Sequence, residues 1–179
     1  MQSLSPSSKS HHLRRLVAFT LVEMLLVIGI ISILAAMVIS SFSDAAQTSR
    51  EVVVRQQLAV WQSALNNWVD GKLGRIDPSI TGSNQVAVTL SALTTFYNSK
   101  SGPERFTLLT GKDLDASTPD TEGYLDAMTG QHYVDMALNY PPSDSKIIRS
   151  DAMIQTGKWI ELPNWIEGSY PTVELFPTP

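Results

Sequence analysis

Two hydrophobic patterns follow one another along this chain. From Leu16 to Ile39 nearly every position is apolar (LVAFTLVEMLLVIGIISILAAMVI), interrupted only by Thr20, Glu23, Gly29 and Ser32. On a helix rising ~1.5 Å per residue, such a run is long enough to cross a bilayer core of about 30 Å. From Phe42 onward, apolar or small residues recur at Ala45, Ala46, Ser49, Val52, Val53, Gln56, Val60, Ala64 and Trp68. Asp44, Arg50, Glu51, Arg55 and Gln57 fall between them. That is the spacing of an amphipathic helix. No proline lies between Phe19 and Asp70, and Asp70-Gly71 supplies a stop signal. The pattern predicts one continuous helix, apolar on all faces over 19–40 and one-sided over 41–70. A membrane helix followed by a separate helix is the other reading, because Ser40 to Ser43 lowers helix propensity.

The remainder, 71–179, reads as a globular head. Gly71-Lys72-Leu73-Gly74, Asp77-Pro78 and Gly82-Ser83-Asn84 are loop signals. Gln85 to Leu90 is a short strand or the lead-in to a helix over Leu90–Asn98. Pro103 suits the first turn of a helix over Glu104–Thr110, which Gly111 ends. Lys158–Leu162 alternates as a strand does, and Val173–Phe176 is a weaker second strand. Together these predict an α+β fold, a long N-terminal helix packed on a small antiparallel sheet.

Charge gives the chain a direction. Lys9, Arg14 and Arg15 precede the apolar run, whereas no Asp or Glu occurs before Glu23, so the body is more acidic than the overall charge of -4 suggests. The positive-inside rule places the N-terminus in the cytoplasm and the body on the far side of the membrane. An acidic body lacks the clustered Lys and Arg of a phosphate-binding groove, so nucleic acid is not an expected partner. A conventional secretory signal fits poorly. The apolar run is too long, and Ile33 or Leu34 occupies the position three residues before a cut after Ala35 or Ala36.

Candidate chemistry is sparse. There is no cysteine, which excludes disulfides, thiolate metal sites and a cysteine nucleophile. His11 and His12 lie in the basic head, leaving His132 as the body's one imidazole, and no nucleophile grouping or phosphate-binding loop accompanies it. Asp113, Asp115, Asp120, Glu122 and Asp126 form an acidic cluster. Calcium needs six to eight oxygens, and Asp113, Asp115 and Asp120 are its candidate ligands. Counted from Asp113, however, Thr118 and Tyr124 stand where an EF-hand requires Gly and Glu, so a solvated loop without cofactor is the preferred reading. Trp159, Trp165, Tyr170 and Phe176 either cover the helix and sheet or form an exposed binding patch. No enzyme is indicated. The oddity is Glu23, since a carboxylate within a membrane segment costs on the order of 2–3 kcal/mol at mid-bilayer and less near an end. It lies near the interface, is protonated, or has a partner.

Ala18-Phe19-Thr20-Leu21-Val22-Glu23, after a short basic leader and opening an apolar helix, resembles the signal of type IV prepilins and type II secretion pseudopilins. The resemblance implies a pilin-like fold and removal of the leader, 1–18, by a prepilin peptidase that cuts between Ala18 and Phe19 and methylates the new N-terminus. It implies that Glu23 neutralises the Phe19 amine of a neighbouring subunit, and that the partners are other pilin-like subunits and an assembly platform. The subunit would wait in the bacterial inner membrane as a single-pass protein and then join a periplasmic or cell-surface filament. Ala18 stands where the family usually has Gly, and no proline interrupts Ile39-Ser40-Ser41, where many members carry one. Gly123-Tyr124-Leu125-Asp126-Ala127-Met128-Thr129-Gly130-Gln131-His132-Tyr133 is similar to a family segment that turns into a strand of the sheet. Here Ala127 and His132 replace common prolines. The alternative function is an anchored periplasmic binding module that never polymerises.

Overall fold

The computed structural model describes residues 20–114, 121, 123–139 and 147–177. The chain divides into two compact units at the boundary between Asp44 and Ala45. Helix α1, Leu21–Lys72, is a single element of 52 residues that runs across that boundary.

The second unit is built around the later turns of α1. Val54, Trp61, Leu65 and Trp68 are fully buried, and Leu58 packs against them. These residues are spaced alternately by four and three, the inward row of a helix. The stripe read from the sequence is therefore corrected. Its later members Ala64 and Trp68 are buried, but Val52 and Val53 are 60% and 38% exposed. The small residues at 45–53 trace a neighbouring row, and the large side chains at 58, 61, 65 and 68 decide which face goes in.

Short helices wrap this row: α2 (Pro78–Thr81), α3 (Leu90–Asn98), α4 (Gly102–Thr110), α5 (Ala127–Asn139) and α6 (Asp151–Thr156). Their ends follow local chemistry. Thr89 Oγ1 accepts the Ala92 N–H at 3.2 Å and starts α3, so Gln85 to Leu90 is a lead-in, touched as strand only where Ala87 bridges Ile76. Ser101 and Glu104 form a reciprocal capping box at the start of α4, and Gly111 ends it in the left-handed conformation. Ser150 caps α6 and Gly157 closes it.

Strands β1 (Lys158–Glu161) and β2 (Glu174–Pro177) pair antiparallel, with Trp159 opposite Phe176 and Ile160 opposite Leu175. Ile148 adds one bridge to Ile160. The described structure is mostly helical with this small two-stranded sheet, compatible with α+β.

One expectation fails outright. The segment beginning at Gly123, which the resemblance sends into a strand, instead enters α5. Asp126 Oδ1 accepts the Thr129 N–H at 2.9 Å and starts the helix, and the Thr129 hydroxyl and N–H hold that carboxyl below its ordinary range. His132 is the reason, since Ala127 is the first residue of α5, where a proline would also fit. A proline at 132 would remove a helical N–H and crowd the preceding turn, whereas His132 continues the helix. Tyr133 then packs edge-on against Trp61 at 5.1 Å between ring centroids.

Arg105 ties the elements together from inside. It is buried on α4, with Nε donating to the Tyr97 carbonyl at 3.1 Å, Nη1 to the Leu162 carbonyl at 2.7 Å and Nη2 to Asn164 Oδ1 at 2.6 Å. Its guanidinium also lies 4.6 Å from the centre of the Tyr97 ring. A buried charge persists only with such hydrogen bonds, and here they run mainly to backbone carbonyls.

Candidate assembly surface on the first half of the long helix

The first unit offers a surface rather than a cleft. From Thr20 to Asp44 each side chain whose burial is described is exposed, including Leu21 at 79% and Phe42 at 70%. A helix apolar on every side has no face suited to water and must be covered by lipid or by other helices. Near the N-terminus, α1 is long and apolar enough to cross a membrane.

Two of its hydroxyls are satisfied within the helix. The Ser32 hydroxyl donates to the Ile28 carbonyl at 2.7 Å, and that of Ser41 to the Met37 carbonyl at 3.1 Å. Turned back on their own helix, these hydroxyls leave no donor for lipid to satisfy.

Glu23 stands in the first turn of α1. Its N–H donates to Thr20 Oγ1 at 3.2 Å, and the Met24 N–H donates to the Thr20 carbonyl at 3.1 Å. Thr20 is thus the N-cap, and Thr20-Leu21-Val22-Glu23 has the spacing of a capping box. T-x-x-E before an apolar run is the sequence signal of this role. A carboxylate in the first turn also meets the positive end of the helix dipole, so its place has a local electrostatic reason. Ala18 and Phe19, between which the resemblance places a cut, lie outside the described residues.

The other candidates scatter. Asp113 lines an open groove with Lys72, Lys100 and Tyr124, while Asp115 and Asp120 lie outside the described residues. Among the described residues no three His, Asp or Glu side chains gather as a metal site. His132 is exposed, its ring edge-on to Tyr133. Trp159 and Trp165 are buried, and Trp165 lies edge-on to Trp68 at 6.4 Å, so these rings cover the core. Tyr170 stays 48% exposed and donates to Asp70 Oδ1 at 2.9 Å.

Compared with protein-family models, with curated proteins and with solved structures, the chain matches none.

Proposed function

We propose that this chain is a structural subunit of a type IV pilus-like or type II secretion pseudopilus-like filament. A prepilin peptidase trims it between Ala18 and Phe19, the inner membrane holds it by residues 19–40, and an assembly platform moves it into an extracytoplasmic filament. Its role is mechanical rather than catalytic. One observation carries the reading: a single carboxylate, Glu23, opens a helix whose next turns are apolar and exposed on every side.

A membrane accounts for the apolar turns, and the helix start favours a carboxylate in its first turn, but neither supplies an opposite charge. Lipid offers Glu23 no partner, whereas a neighbouring subunit's Phe19 amine, placed beside the first turn, does. Pairing offsets the cost of burying both charges and fixes the axial register, because a shifted neighbour leaves both unpaired. Extraction from lipid into a bundle of like helices keeps the apolar surface covered throughout.

The test separates the cap from the charge. Gln at the third helical position still serves a capping box, so Glu23→Gln keeps the start of α1 while removing the negative charge. The expected outcome is normal membrane insertion with filaments lost or sharply reduced in electron micrographs. Full filament yield from Glu23→Gln would overturn the register role, whereas no filament from either the parent chain or the variant would favour the anchored binding module.

A further inference from the structure

The second unit carries an apolar tip and, separately, a groove of mixed polar and apolar lining. The tip is Ile166, 78% exposed at the head of a loop that is otherwise tied down. Asn98 holds the backbone of Trp165 from both sides, Oδ1 accepting its N–H at 2.7 Å and Nδ2 donating to its carbonyl at 2.9 Å. Trp165 Nε1 donates to the Ser169 carbonyl across the loop, and Gly168 makes the turn at φ 87°. Ser91 Oγ donates to Glu167 Oε1 at 3.0 Å. An isoleucine presented to water on so constrained a loop is pre-organised for docking, since little entropy remains to be lost on binding.

The groove runs between α1 and α5. Val53, Gln56, Val60, Met128 and His132 line a volume of about 380 Å³, and Met128 is 86% exposed. Exposed Arg50 extends the same ridge of α1, three residues before Val53. The tip lies near Asp70, to which Tyr170 is bonded, and the groove lies around residues 53–60. Along α1 that separation is roughly 15–25 Å, so a copy cannot reach its own groove.

We propose that these two surfaces are one contact between copies: Ile166 of one chain seats in the α1–α5 groove of a second, with Glu167 facing Arg50. The signs are complementary, and tip and groove are different patches. A contact of this heterologous kind does not close on itself but continues into an open array. It deepens the filament reading and rests on it for the second copy, adding a head contact to the pairing at Glu23.

The chain has no cysteine, so engineered ones report cleanly. Full-length Ile166→Cys and Gln56→Cys chains are co-expressed in cells that assemble the filament, and the sheared filaments are oxidised mildly. A disulfide forms only when the two Cα atoms approach within about 7 Å. The expected result is a mixed dimer carrying one chain of each kind, and a ladder of oligomers from the double variant. Adding Glu167→Arg lowers the yield roughly two- to fivefold, and Arg50→Glu in the partner restores it. No mixed dimer, or pairing only between like chains, overturns the contact. Filaments that assemble without the mixed dimer overturn this contact while the filament reading stands.

Discussion

Gln62 holds Val173 as a neighbouring strand would. Its Oε1 accepts the Val173 N–H at 2.9 Å and its Nε2 donates to the Pro171 carbonyl at 2.9 Å, so one side chain on α1 satisfies the backbone leading into β2. Asn98 does the same for Trp165. The C-terminal segment thereby attaches to the helices through two amides, which supplements the two strands that pair among the described residues.

Gln62→Leu leaves a part-buried N–H and carbonyl without partners. It should lower stability by about 1–3 kcal/mol and speed hydrogen exchange at residues 171–176. Gln62→Glu keeps the acceptor and loses the donor, and should fall between the two. Chemical unfolding followed by tryptophan fluorescence checks the order.

Gly123 is where two segments cross. A Cβ there would collide with the carbonyl of Thr110, and one on Gly111 would collide with the carbonyl of Thr121. Thr121 N–H donates to the Gly111 carbonyl at 2.7 Å and Tyr124 N–H to the Leu109 carbonyl at 2.8 Å, so neither strand of the crossing can move away cheaply. Gly123→Ala should cost more than about 2 kcal/mol. Gly130→Ala on α5, whose Cβ would meet only Thr110 of α4 at ordinary contact distance, should gain roughly 0.5–1 kcal/mol. Thermal unfolding of the two variants gives opposite shifts.

The Tyr97 hydroxyl is buried without a hydrogen-bond partner among the described residues. Burial pushes its pKa up to about 12, against the lesser opposing pull of Arg105. Tyr97→Phe keeps the ring under Arg105 and removes the unsatisfied group, so stability should rise by about 1 kcal/mol. Because the folded pKa is raised, the wild-type hydroxyl's pH-dependent contribution is complete below about pH 10 and is lost as pH rises towards the folded value. The variant should lose less stability over that alkaline window, measured by denaturant midpoints.

Lys72 and Asp77 pair at 2.6 Å just beyond the end of α1. The hydrogen bond from Lys72 chiefly, and those from Ser79, lower the Asp77 pKa. A depressed folded pKa means that the contribution is present above the unfolded value of about 3.9 and is lost as pH falls through the folded value. Asp77→Asn should flatten that part of the acid limb in a pH series of melting temperatures while leaving the limb from Asp126 and Glu104, whose pKa values are also lowered.

Local signals carried much of the fold. Pro103 with Gly111 bounded α4, the long unbroken pattern traced α1, and the alternation at Lys158–Leu162 marked β1. What escaped was tertiary or hidden by analogy. Asp126 and Ser150 start helices α5 and α6 with side-chain caps. At α5 the analogy to a strand outweighed the cap and the histidine in place of a proline at 132. The inward face of α1 was set by large residues at 58, 61 and 65, whose weight a count of small residues ignored. Glu23 is legible as an anomaly of charge, whereas the part of Thr20 in capping its turn shows in the hydrogen bond from the Glu23 N–H.

Intact-mass spectrometry of the membrane-extracted chain, made in cells with and without a prepilin peptidase, tests the central claim most directly. The account expects a chain beginning at Phe19 with one added methyl group when the peptidase is present, and the untrimmed chain when it is absent. An untrimmed chain in peptidase-containing cells would contradict it and leave a stably anchored binding module as the better account.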